Sequence, residues 1–101
     1  MNECRLISDK SGNVAVIAQP SGIKYFLAVS EDPDSPGRWV ETRLVYYHDE
    51  LLDLSLRASF GTRGAAAVGA AQTARVALGI ERPHGYRSAR TKRGEVVTVA
   101  F

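Results

Sequence analysis

Cysteine is almost missing from this chain. Cys4 is the only one, so the sequence offers no internal disulfide and no cysteine pair for a structural zinc site. Long apolar runs are missing too. The most apolar stretch, residues 64–80, is broken by Gln72, Thr73 and Arg75 and falls short of the ~20 residues that a bilayer-spanning helix needs. The opening Met1-Asn2-Glu3-Cys4-Arg5 has no basic segment followed by a long apolar one, so no secretory signal is expected. These absences lead to the expectation of a soluble, cytoplasmic protein with no membrane partner. There is also no nucleophile elbow, phosphate-cradling glycine loop, paired-cysteine motif or helical metal motif. No catalytic residue, metal ligand or cofactor is therefore assigned.

What is present reads as one globular unit. A length of 101 residues suits a single domain over 1–101, and 45% hydrophobic with 24% charged residues is ordinary for a soluble globule. The formal charge of +2 hides a division along the chain. Residues 1–53 carry −4, whereas residues 54–94 carry +7 with Glu81 as their only acid. Such asymmetry marks either a surface for an acidic partner or two halves that pair in the fold.

Residues 4–8, 14–18, 23–30 and 38–47 are rich in β-branched and aromatic side chains and read as strands. They are separated by turn chemistry at 9–13 and 19–22 and by a polar loop holding Pro33 and Pro36. On the fourth strand Val40, Thr42, Leu44 and Tyr46 share one face, and Glu41, Arg43 and Tyr47 the other. Trp39, Tyr46 and Tyr47 fit core and cross-strand packing. Residues 52–60 alternate apolar and polar without a break, the mark of a strand with one buried face.

A helix follows, over about 63–79. Thr62 is placed to cap it and Gly79 to end it in the left-handed conformation. Its small residues recur every four positions, as Gly61, Ala65, Gly69, Thr73 and Ala77 and as Ala66, Ala70 and Ala74. Such a smooth surface lets another backbone come close. The helix has more apolar surface than one small sheet needs to cover it, so a homodimer through this helix is expected. Residues 81–94 read as a long basic loop and residues 95–101 as a last strand. The order β-β-β-β-β-α-β predicts an α+β fold, a mostly antiparallel sheet of about five or six strands under one Ala-rich helix.

The strongest candidate surface is the basic segment. Arg82, Arg87, Arg90, Lys92 and Arg93 fall within twelve residues with no acid among them, and His84 and Tyr86 lie between them. Guanidinium forks suit phosphate and carboxylate oxygens, and Tyr86 could stack on a base. A solvated loop that merely keeps the protein soluble is the plainer reading. The second candidate is Gly61-Thr62-Arg63-Gly64 at the helix start, where free N–H groups and Arg63 would favour an anion; a simple strand-to-helix turn explains the glycines equally. His48-Asp49-Glu50 holds three potential metal ligands but reads as a polar turn.

The Gly61-Thr62-Arg63-Gly64 segment resembles the loop of the KH family of RNA-binding domains, where a Gly-x-x-Gly joins two helices and grips the nucleic-acid backbone. The resemblance covers about half the chain and implies a helix over 49–60 in place of the strand. Three functions follow as expectations. The first is a small non-enzymatic module that binds an acidic protein surface or nucleic acid through Arg63, Arg82, Arg87, Arg90, Lys92 and Arg93. Such work suits an accessory or inhibitory protein of a phage, plasmid or other mobile element. The second is a KH-like RNA binder, and the third a small-ligand protein or enzyme with a pocket between helix and sheet.

Overall fold

The structure, a computed structural model, describes residues 3–9 and 12–101. It is α+β, with eight strands in antiparallel sheets and one helix after the first six strands. The first four strands, β1 (Glu3–Asp9), β2 (Gly12–Ala18), β3 (Ile23–Glu31) and β4 (Trp39–Tyr47), form a meander in that order. The turn expected over 9–13 includes residues 10 and 11, which lie outside the described residues.

The expected fifth strand is divided. β5 (Glu50–Leu51) and β6 (Leu56–Phe60) both pair with β4, at opposite ends of it. Between them Leu52 and Leu54 are buried and Asp53 and Ser55 exposed, so the alternation reports burial correctly while the strand ladder is interrupted. His48 and Asp49 form the two-residue turn from β4 into β5. Both have positive φ, 45° and 66°, as a hairpin turn matched to strand twist requires.

The register brings Ile17, Tyr25 and Val45 side by side on one face of the sheet. Helix α1 (Arg63–Ala77) lies on that face, and so does a hairpin of β7 (Tyr86–Arg90) and β8 (Val96–Ala100). The core forms between these layers from Ile17, Tyr25, Leu27, Val45, Leu52, Leu54, Ala77, Val97 and Val99. The reverse face of the sheet carries Phe26, Leu44 and Tyr46, all half-buried, with the Phe26 and Tyr46 rings edge to face at 5.2 Å.

Both helix ends form as the sequence implies. Thr62 Oγ1 accepts from Ala65 N at 3.1 Å. Gly79 has φ 79°; its N–H donates to Val76 O and that of Ile80 to Arg75 O, which closes the last turn. The small residues do permit a close approach, and what approaches is the chain's own sheet. Ala66, Thr73, Val76 and Ala77 are buried there, while Ala65, Val68, Ala71 and Arg75 are exposed on the other side. Gly69 sits directly over Glu41.

The reading of residues 81–94 as one long loop is corrected: residues 86–90 are β7, paired with β8 in a two-stranded sheet. Only Ala89 among the five is aliphatic, so little in Tyr86-Arg87-Ser88-Ala89-Arg90 signals a strand until β8 supplies the partner. A helix over 49–60 is likewise not formed. The Gly61–Gly64 segment joins a strand to a helix, so the pair of helices that a KH likeness needs is not there.

Candidate functional site

The basic segment is held on the sheet at both ends. At its tip Thr91 N donates to Glu95 O at 2.8 Å and Gly94, with φ 87°, turns the chain. Glu50 Oε2 accepts from Lys92 N at 2.9 Å, and Tyr47 donates its hydroxyl proton to Glu95 Oε2 at 3.0 Å. At its base His84 N and Gly85 N both donate to Phe101 O, and Tyr25 donates to Ala100 O at 2.8 Å. Side-chain hydrogen bonds of Tyr25, Tyr47 and Glu50 therefore fix the hairpin to β3, β4 and β5.

Strand alternation divides its side chains between two faces. Arg87 shares the inner face with Ala89, Val97 and Val99; Tyr86, Ser88 and Arg90 share the outer face with Val96 and Thr98. Lys92 and Arg93 lie in the tip, and Arg82 precedes the base. All five cations are exposed. Arg90 donates to Gly94 O at 2.7 Å. Among the described residues none of the five makes an ion pair with an acid. Lys24, Arg43, Arg57 and Arg75, by contrast, pair with Asp49, Glu41, Asp32 and Glu81.

Arg63 belongs elsewhere. Its guanidinium stacks over the Trp39 ring, 5.3 Å from the centroid, at the opposite end of β4 from Tyr47. Nine residues of strand set those ends roughly 26 Å apart. The structure thus brings Tyr86 and Arg87 together with His84 at the hairpin base, leaves Lys92 and Arg93 at its tip, and keeps Arg63 on a separate surface.

Between α1, β6 and the hairpin base lies a cleft of about 310 Å³. Arg43, Gln72, His84 and Arg87 supply its polar groups; Leu56, Val76 and Phe101 supply apolar walls. Arg43 was not among the residues expected from sequence. It donates to the buried Glu41 through Nε and Nη2, a bidentate pair beneath the helix. Two opposite charges at 41 and 43 within a largely apolar strand were the available signal, since residues two apart share a face.

His84 Nε2 lies 2.6 Å from Gln72 Nε2 and 3.3 Å from Glu81 Oε2. One ring nitrogen serves only one of them at a time: protonated it donates to Glu81, bare it accepts from Gln72. Glu81 also accepts from Arg75 Nε at 3.2 Å, and this bond, followed by that to His84, holds its carboxyl below the usual value. His48, Asp49 and Glu50 do not converge. The His48 ring packs against Gly22, Asp49 faces Lys24 at 3.9 Å and Glu50 holds the hairpin tip. Among the described residues no three metal-binding side chains gather, and no helix is long and apolar enough to cross a membrane.

Comparison of the chain with protein-family models, with curated proteins and with solved structures returns no match.

Proposed function

We propose that this chain is a small, non-enzymatic binding module of the cytoplasm that engages an acidic partner through the β7–β8 hairpin. One observation carries the reading. Arg82, Arg87, Arg90, Lys92 and Arg93 are exposed and, among the described residues, make no ion pair with an acid, on a segment fixed at both ends. Surface cations left unpaired on an ordered scaffold attract anions over a Debye length at little further entropic cost. Exposed Tyr86 adds a ring beside them. Acting by occlusion or tethering, such a module suits an accessory or inhibitory protein of a phage, plasmid or other mobile element.

The test is retention on an immobilised polyanion. The intact chain should be held at low salt, and Arg87→Ala/Arg90→Ala/Arg93→Ala should pass through with its melting temperature unchanged. Equal retention of both would remove the hairpin from the reading.

The same proposal includes a homodimer through α1. Val68 is 68% exposed on the helix's outer side, and an apolar groove of about 480 Å³ opens beside it between Ala67, Ala70 and Ala74 and the edge residue Leu6, itself 78% exposed. Apolar surface of this kind gains most from a second apolar surface. A second reading, small-ligand binding between helix and sheet, draws support from the cleft lined by Arg43, His84 and Arg87.

A further inference from the structure

Arg43, His84 and Arg87 stand on β4, on the segment after α1 and on β7, yet all three line one cleft. Its volume of about 310 Å³ is at the small end of ligand sites. The two carboxylates nearby are already engaged. Glu41 is buried against Gly69 and held by Arg43. Glu81 is held by Arg75 and His84. Arg43 uses Nε and Nη2 for Glu41, which leaves Nη1 without a partner among the described residues. No buried side-chain nitrogen or oxygen there lacks a partner, so Nη1 reaches solvent. Arg87 makes no ion pair with an acid among the described residues, which leaves its guanidinium uncommitted. The cleft therefore holds more positive charge than its carboxylates offset, and the uncommitted donors are planar forks.

The remaining lining includes Gln72 and Thr73 and three apolar side chains, Leu56, Val76 and Phe101. The Phe101 ring is set edge to face against Tyr25 at 6.2 Å. We propose that this cleft binds a phosphate monoester carried on a flat aromatic body. The phosphate faces Arg87 and the free edge of Arg43, and the ring lies against Phe101 and Leu56. A dianion with three free oxygens uses two separate guanidiniums more fully than a carboxylate does. This inference rests on the small-ligand reading and does not need the acidic-partner reading, because Lys92 and Arg93 at the hairpin tip do not line the cleft.

The experiment is a calorimetric titration of the full chain with phenyl phosphate, with inorganic phosphate and phenol as comparators. Phenyl phosphate is expected to bind more tightly than either. Arg87→Ala should weaken it roughly tenfold or more, the effect of losing a charge-assisted contact. Arg87→Lys, which keeps the charge but not the fork, should fall between. Lys92→Ala/Arg93→Ala should bind phenyl phosphate as the intact chain does while losing retention on a polyanion. Arg87 is changed in place of Arg43 because removing Arg43 would strand a buried carboxylate. Inorganic phosphate binding as tightly as phenyl phosphate would overturn the proposal. So would an affinity unmoved by Arg87→Ala, or one lost in Lys92→Ala/Arg93→Ala.

Discussion

A Cβ built on Gly69 would lie 2.5 Å from Glu41 Oε2. The helix touches the sheet there at a distance that only glycine permits, above a carboxylate that is 1% exposed. Glycine inside a helix ordinarily costs about 1 kcal/mol relative to alanine. At Gly64 that rule should hold, because a Cβ there meets nothing within 4 Å. At Gly69 the clash should outweigh it, since overpacking costs roughly 1–3 kcal/mol and Glu41 is pinned by Arg43. Opposite signs are expected: Gly64→Ala raises the urea midpoint and Gly69→Ala lowers it. A stabilised Gly69→Ala chain would contradict the close approach.

Tyr25 should set the alkaline limit of the fold. Burial pushes its hydroxyl from 10.0 up to about 12. A raised folded-state value means the contribution is complete below pH 10 and is lost as pH climbs from 10 towards 12. Tyr25→Phe removes the bond to Ala100 O and should cost about 1 kcal/mol at neutral pH. It should also flatten the alkaline fall. A smaller fall remains from Tyr47, raised chiefly by its bond to Glu95. Thermal melts at pH 8, 10 and 11 check this, and parallel curves for the two chains would contradict it.

Self-association should depend on the outer side of α1. Val68→Glu places a charge where a second copy would need an apolar contact, at a residue 68% exposed in the single chain. Sedimentation velocity should then show a dimer for the intact chain and a monomer for the variant, with the same melting temperature at low concentration. A monomeric intact chain would contradict the homodimer.

Much of the fold was legible because its signals are local. Alternation marks strands, Thr62 and Gly79 mark the helix ends, and both caps form. The β7 strand was hidden because its inner face is Arg87 and Ala89, too polar to show a period until Val97 and Val99 lie across from them. Residues 52–60 gave the right buried set, yet the break in pairing depends on how β4 meets two partners. A pocket between helix and sheet was one expectation, but the set of residues that lines the cleft was not legible. Arg43 and Arg87 lie far apart in sequence, and only the hairpin's return over the sheet sets them in one wall. A run of cations shows that charge is present, whereas the fold decides which of them face the same way: Arg87 inward, Arg90 outward and Arg63 onto Trp39.

The hairpin's role is tested most directly by the salt dependence of binding to a DNA duplex and to polyglutamate, measured for the intact chain and for Arg87→Ala/Arg90→Ala/Arg93→Ala. Each cation that replaces a counterion on duplex DNA contributes about 0.9 to the slope of log affinity against log salt. The intact chain should show a steep slope with at least one of the two polyanions, and the variant should lose roughly 2 to 3 units of it. Equal slopes for the two chains, or no binding of either polyanion by the intact chain at low salt, would contradict the hairpin as the acidic-partner surface.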